Sequence, residues 1–537
     1  MAIKRRTLLG AAGGMAAAAS LPRPAISAGG TSVGASVLKF IPQANLTILD
    51  PITTTAAVTQ NHCYYVWDTL YAVDEHLVPH PQMAAGHSVS SDQRTWTITL
   101  RDGLKFHDGA PVRAADCIAS IKRWASVDPF GEDLAEAVDS YVAKSDKSFD
   151  IRLKTPFPLL DAALAKPAAN VPVIMPEHIA AQPAAKAITI DQVIGSGPCR
   201  FEAKEYVSGS RVVYSKFADY VPRPEKSSWA SGGKIVNFDR IEWHVIPDPG
   251  TAVAALQSGE VDWWELVLPN LIPLLATNKD IVIGAGNPTG YLGCLRFNSL
   301  FPPFDNVLMR QAVMMAVDQS AYMRAVTANN PKNFEICHSF FPLGTTYGIP
   351  PNPDPMAKGP DLGEAKKLIE AAKYAGQKIV IINPTDFPSI QPFGEITYAT
   401  LKKLGLNVDL VETDWGTVVQ RRASKAPVDK GGWTIFHTWW LGVSLYNPAV
   451  NPIILGQGLK GWFGWYQSDE MMALNNDWLT ANGADARQAV AAKMQALAFH
   501  DVPTVPLGQF YIRTAYRSTL SGVSIGASPY PWNVRRA

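Results

Sequence analysis

Short apolar runs broken by frequent turns make up this chain, and their period changes about halfway along. Up to about residue 300 a two-residue period dominates. Val37–Ile41 is an apolar strand, and Thr95-Trp96-Thr97-Ile98-Thr99-Leu100 alternates as a half-buried strand does. Ser148–Leu153 alternates in the same way, and 241–246 is a further strand. Phe106-His107-Asp108-Gly109-Ala110-Pro111 is a turn cluster. The helix predicted after it carries Cys117, Ile118, Ile121, Trp124 and Ala125 on one face. Ile194-Gly195-Ser196-Gly197-Pro198 is a glycine-rich turn, and 249–259 is a short helix led by Pro249 and ended by Gly259.

Beyond residue 300 helical spacing takes over. Residues 306–323 place Val307, Met314, Val317 and Ala321 on one face and predict a single helix. Asp361 caps a helix to Tyr374, with Glu364 at the third position of a capping box. Residues 378–382 are continuously apolar, the mark of a strand buried on both faces. A helix over 393–404, closed by Gly405, and a strand over 407–411 follow. Strand, helix and strand in that order predict a parallel pair with a crossover, hence an α/β lobe. The strand-like tail, 505–523, is placed to return to the strand-rich first half.

The N-terminus changes the picture of where the protein works. Lys4-Arg5-Arg6, a weakly apolar run to about Leu21, and the small residues Ala25, Ser27 and Ala28 have the anatomy of a signal peptide over 1–28, cleaved near Ser27 or Ala28. The paired Arg5-Arg6 before Thr7-Leu8-Leu9 looks like a twin-arginine signal, though Sec signals can also carry two arginines. The apolar stretch is shorter than the ~20 residues a membrane span needs. The leader holds four basic residues and no acid, so its loss moves the formal charge from +1 to about −3. A near-neutral surface without basic runs argues against nucleic acid or an anionic membrane as partner. The five cysteines have neither CxxC nor metal-ligand spacing. They are expected as buried thiols, with one bridged pair as the alternative.

Candidate chemistry is sparse. The sequence has no phosphate loop, GxSxG elbow or HExxH helix, and Gly284-Ala285-Gly286 lacks the third glycine of a dinucleotide fingerprint. Ser196 and His107-Asp108 fall in tight turns rather than in a catalytic pair. The aromatic residues say more. Trp433, Trp439, Trp440, Tyr446, Trp462, Phe463, Trp465 and Tyr466 lie within 34 residues, separated by glycines. Such aromatics suit platforms for a ligand, or wedges between lobes.

In order along the chain, these segments resemble a known family. Leu49-Asp50-Pro51, Trp67-Asp68-Thr69-Leu70-Tyr71, the run from Thr95 to Val112, Ile194–Pro198, Ala255–Asp262, Pro303-Phe304-Asp305, Arg310-Gln311-Ala312, Ala316-Val317-Asp318 and Glu364–Leu368 are similar to motifs of the bacterial extracellular solute-binding proteins of the oligopeptide, dipeptide and nickel type, family 5, which serve ABC importers. The resemblance implies an α/β, two-lobe class II periplasmic binding protein with an extra subdomain on the first lobe. Lobe I would take 31–75, 191–288 and the return 506–537, the subdomain 76–190, and lobe II 289–505. Crossovers near 286–292 and 500–512 would form a hinge that closes on ligand. It further implies a periplasmic monomer that delivers a small peptide-like or other organic solute to an inner-membrane permease, with no catalytic step, cofactor or metal. Carried over by position, Trp415 and Trp440 would wall the pocket, and Tyr446 and Trp462 of the aromatic cluster are further expected ligand contacts. Arg422 and His437 would make polar contacts, and Gln509 or Phe510 would come from the second crossover. Two departures stand out. Arg113 sits where a Thr or Ser usually caps the next helix. Trp440 is followed by Leu441-Gly442-Val443-Ser444, without the acid that pairs with a peptide's α-amino group. Rival readings are an extracytoplasmic hydrolase, a nonspecific peptide holder, and capture of nickel or a metal chelate by His437 with His62 or His244.

Overall fold

The computed structural model describes residues 36–537, so the leader and its cleavage site lie outside the described residues. Two sheets form the two lobes. The first has seven strands in the order Ile281–Gly284, Arg513–Arg517, Trp263–Val267, Val37–Ile41, Arg240–His244, Arg211–Lys216 and Cys199–Phe201. The second has six, in the order Phe334–Glu335, Thr504–Phe510, Tyr291–Phe297, Ile435–Leu441, Ile379–Pro384 and Val408–Thr413. The predicted parallel pair is present: Ile379 faces Val408 and Ile382 faces Val411, with the helix Gln391–Lys403 crossing between the strands. A separate four-stranded antiparallel sheet holds Ala84–Val89, Thr95–Leu100, Ser148–Leu153 and Val138–Ser145.

Two connections join the lobes. The chain leaves the first sheet after Gly284 and enters the second at Tyr291. It leaves the second sheet after Phe510 and re-enters the first at Arg513. The expected change of lobe at 505/506 therefore falls inside one strand, because Val505 and Phe510 both pair with the strand Tyr291–Phe297. The two connections run against each other. A Cβ on Gly286 would lie 1.7 Å from the Ile512 carbonyl oxygen, so glycine is required at that crossing.

Local departures have simple causes. The single helix expected over 306–323 is two, Val307–Met315 and Gln319–Val326, because the Asp318 side chain accepts from Ser320 N and starts a new one. Arg113 supplies no cap through an oxygen. Asp116, three residues on, accepts from Arg113 N at 2.8 Å instead. All five cysteines are buried free thiols, and the alternative of a bridged pair is not seen.

The sequence motifs turn out to be joints. Asp50 pairs with Arg123 at 2.7 Å and accepts from Ile52 N and Ile188 N. Asp68 pairs with Lys234 at 2.7 Å and accepts from Tyr220 Oη–H. His107 and the Gly195-Ser196-Gly197 turn meet, with His107 Nε2 3.0 Å from the Gly197 carbonyl oxygen. Burial holds the His107 ring down to about 4, so it is neutral and can donate that bond. Ser196 is 4% exposed and its hydroxyl donates to Ile174 O, as befits a turn packed under Val66 and Trp67.

Candidate functional site

Between the lobes lies a narrow cavity with one wall from each. Gln43, Ala44, Thr55–Val58 and Gln60 come from the first lobe. Phe387, Ile390, Trp415, Arg422, Thr438–Leu441, Ser444 and Trp462 come from the second. The cavity has a volume of only about 30 Å³. The walls therefore stand nearly in contact. Two wider cavities continue the cleft. One shares Gln43, Ala44, Phe387 and Trp415, the other Thr55, Ala169 and Trp462.

Local sequence explains how the second lobe presents its side chains. Asp414 starts the helix Trp415–Arg421 by accepting from Thr417 N at 2.9 Å, and Asp386 accepts from Trp415 N at 2.7 Å. The helix begins at the cleft with Trp415 and ends at Arg422. Trp440 lies near the end of the strand Ile435–Leu441, and its ring meets Trp462 edge-on at 5.1 Å. Trp462 arrives on a glycine-rich loop and also touches Phe436. The loop after Trp440 is hung from the first connection: Gly442 N donates to Gly290 O at 2.9 Å and Val443 N to Thr289 Oγ1 at 3.0 Å.

Arg422 is the unusual member. It is 2% exposed, and its guanidinium lies 4.9 Å from the Phe463 ring, 5.6 Å from Trp415 and 5.7 Å from Phe436. Its one hydrogen bond is a long contact, 3.4 Å, to Thr55 Oγ1 across the cleft. Among the described residues its Nε finds no partner, and neither does Trp440 Nε1. Burial pulls the guanidinium down to about 9, with no carboxylate to oppose the effect.

Of the residues expected at the site, Trp415, Arg422, Trp440 and Trp462 share this cavity, and the other four do not line it. His437 lies behind the sheet, where its Nε2 meets Thr397 Oγ1 at 2.7 Å and burial lowers it to about 3. Thr438–Leu441 at the end of the strand reach the cavity, while His437, further back, is taken up by Thr397 of the helix Gln391–Lys403. Gln509 is spent on the connections, accepting from Leu343 N and donating to Thr289 O. Phe510 packs on Tyr291 and Phe393 in the lobe core. Tyr446 follows the cavity loop but lies outside the cavity wall. The histidines of the metal-chelate reading are dispersed: His62 bonds Tyr214, and His244 sits beside Glu242 on the first sheet. Among the described residues no group of three or more His, Cys, Asp or Glu is arranged to hold a metal. Thr55, Gln43, Gln60 and Phe387 were not signalled by the sequence. They gain meaning only when the lobes meet.

The match to known proteins is now decisive. The model of bacterial extracellular solute-binding proteins, family 5, covers residues 78–461. The chain belongs to this family. Over 539 residues, all of both chains, it is 39% identical to the probable peptide ABC transporter periplasmic-binding protein of Sinorhizobium fredii. It is 24% identical over 488 residues to the glutathione-binding protein of Salmonella typhi, covering 89% of this chain and 90% of that one. Two solved structures share the fold. One is an Agrobacterium tumefaciens periplasmic binding protein in complex with agropinic acid, with TM-score 0.77 and 22% identity over 93% of this chain and 99% of that one. The other is a Pseudoalteromonas dipeptide-binding protein in complex with Met-Leu, with TM-score 0.75 and 20% identity over 93% of this chain and all of that one. The fold is thus the two-lobe class II binding-protein fold. The Sinorhizobium relative is named as a binding protein of an ABC transporter.

Proposed function

We propose that this family 5 solute-binding protein works in the periplasm as the capture component of an ABC importer, closing its lobes on a small peptide-like or other organic solute and presenting it to the permease. The single observation that carries this reading is the cavity whose walls come from both lobes and which two short connections span among the described residues. A ligand there touches both walls only when the cleft is shut, so closure and binding are one equilibrium. The relatives named for peptide and glutathione binding support the solute class. Trp415, Arg422, Trp440 and Trp462 are the proposed ligand contacts. The three indoles supply flat apolar area at little entropic cost, and Arg422 supplies charge. The protein acts as a monomer without a catalytic step, and its leader is removed near Ser27 or Ala28.

The test is native mass spectrometry of the protein purified from its own periplasm, with small-angle scattering before and after the bound species is removed. A bound small solute and a larger radius of gyration once it is stripped are expected. An unliganded protein whose scattering ignores every periplasmic extract would sink the reading.

A further inference from the structure

Three buried arginines without a carboxylate partner can be compared within lobe II. Arg296 has its Nε on Phe463 O at 2.8 Å and one terminal nitrogen on Ile453 O and Thr504 Oγ1, both at 2.9 Å. Arg310 donates to Asp501 O and Phe304 O at 2.8 and 2.7 Å. These two are satisfied by carbonyl oxygens and need nothing more. Arg422 is not satisfied. A guanidinium carries five N–H donors in a planar fork, yet this one makes a single contact of 3.4 Å, and that contact reaches across the cleft. Burying a charge in this way costs several kcal/mol unless a partner arrives.

The rest of the cavity sharpens what the partner is. No Asp or Glu lines it among the described residues; its polar wall is Gln43, Thr55, Gln60, Thr438 and Ser444. The acids around the cavity belong to other work: Asp128, on the adjoining cavity beside Thr55 and Trp462, is paired with Lys166. Asp386 and Asp414 lie beyond the shared wall of Gln43, Ala44, Phe387 and Trp415, where both hold the start of the Trp415 helix. Glu265, under the first-lobe wall, accepts from Gln43 N and Asn61 Nδ2 at 2.8 Å. A ligand ammonium drawn into the cavity would meet one positive charge and no negative one.

Resting on the solute-capture reading above, we infer that the cavity selects organic acids with a single carboxylate and no free amine, such as N-acylated amino acids, N-blocked dipeptides or lactam acids, with Arg422 forking the carboxylate. The fork geometry matches a carboxylate through two parallel hydrogen bonds. One guanidinium balances one negative charge. A phosphate monoester, with a charge of about −1.5 to −2 at neutral pH, would leave an excess buried. A zwitterionic peptide would leave its ammonium unpaired, which is the more expensive error.

The experiment uses the stripped mature chain and matched probes: Ala-Phe, N-acetyl-Ala-Phe, N-acetyl-Ala-Phe amide, N-acetyl-phenylalanine and phenyl phosphate, measured by calorimetry. The blocked acids are expected to bind about tenfold or more tightly than Ala-Phe, and the amide to lose binding. Arg422→Gln is expected to abolish the preference of acid over amide, and Arg422→Lys to recover part of it. Equal or tighter binding of free Ala-Phe, tighter binding of phenyl phosphate, or no binding by any probe overturns the inference. In each of those cases the periplasmic solute found by mass spectrometry still decides separately whether the protein captures solutes at all.

Discussion

Asn475 Nδ2 reaches both carboxylate oxygens of Asp133, at 3.0 and 3.2 Å, although 342 residues separate them. Asp133 lies on the helix Pro129–Ala137 beside the four-stranded sheet, and Asn475 on the lobe II helix Asp469–Thr480. Next to this pair Gln457 Nε2 donates to Glu132 at 2.7 Å. Together they clasp the helix Pro129–Ala137 to lobe II beside the cavity lined by Gln457 and Trp462.

The clasp predicts a pH dependence. Burial lifts both Asp133 and Glu132 to about 7, with Asp128 and Glu136 adding to the rise and Lys460 opposing it at Glu132. An open cleft hydrates these acids and returns them toward ordinary carboxylate values. The closed form then holds protons that the open form has released. Closure is therefore fully favoured below the ordinary carboxylate range and weakens as pH rises toward about 7. Ligand affinity should fall between pH 5 and about 7.5 and level off above. Asp133→Asn should flatten that curve. Calorimetry across pH decides it, and an unchanged slope in the variant would remove the clasp from the account.

Arg422 predicts a trade between stability and binding. Replacing an unpaired buried charge by an apolar side chain of similar length removes its desolvation cost. Arg422→Met should raise the stability of the empty protein by about 1 kcal/mol, less than the full penalty because three aromatic contacts are lost with the charge. The same variant should bind ligand poorly. Scanning calorimetry of stripped protein checks the first part, and a lower melting temperature would contradict it.

The indole walls predict graded losses. Trp462 touches Trp440 and Phe436 and lines both the central cavity and its neighbour. Trp462→Ala should cost about 2–3 kcal/mol of ligand binding, and Trp415→Ala a similar amount. His437→Gln, behind the sheet, should leave ligand affinity within about twofold, a change of under 0.5 kcal/mol. A large loss at His437 with the fold intact would mean that the contacts lie elsewhere.

Gly442 predicts coupling between the pocket loop and the hinge. A Cβ there would stand 2.2 Å from the Thr289 carbonyl oxygen. Gly442→Ala should push the loop off the connection and weaken binding by about tenfold without removing any ligand contact. An unperturbed titration with the variant would show that the loop and hinge move independently.

The architecture was legible because it is local. Alternation over Thr95–Leu100, the apolar run ahead of Gln391–Lys403 and Gly259 with positive φ after its helix each depend on near neighbours. The motif acids were legible as markers but not as joints, because Asp50 and Asp68 meet Arg123 and Lys234 only through long-range packing. The site was half legible for the same reason. Trp415, Arg422, Trp440 and Trp462 belong to one lobe and were found together. Thr55, Gln43 and Gln60 sit in no pattern, and their part is decided by how the other lobe approaches. His437 is close to Trp440 in the chain yet bonds Thr397 outside the cavity, which the packing of the helix Gln391–Lys403 decides.

The strand Arg513–Arg517 sits inside the first sheet, between Trp263–Val267 and Ile281–Gly284. Beyond it Ala527 O accepts from Gln60 Nε2, and Trp532 Nε1 donates to Trp229 O. The lobe that begins at Val37 thus lacks an interior strand until the last few dozen residues exist. During synthesis Trp263–Val267 and Ile281–Gly284 must wait for it, with their facing edges unpaired. Completion of this lobe therefore follows, and cannot precede, synthesis of the segment from Arg513 onward.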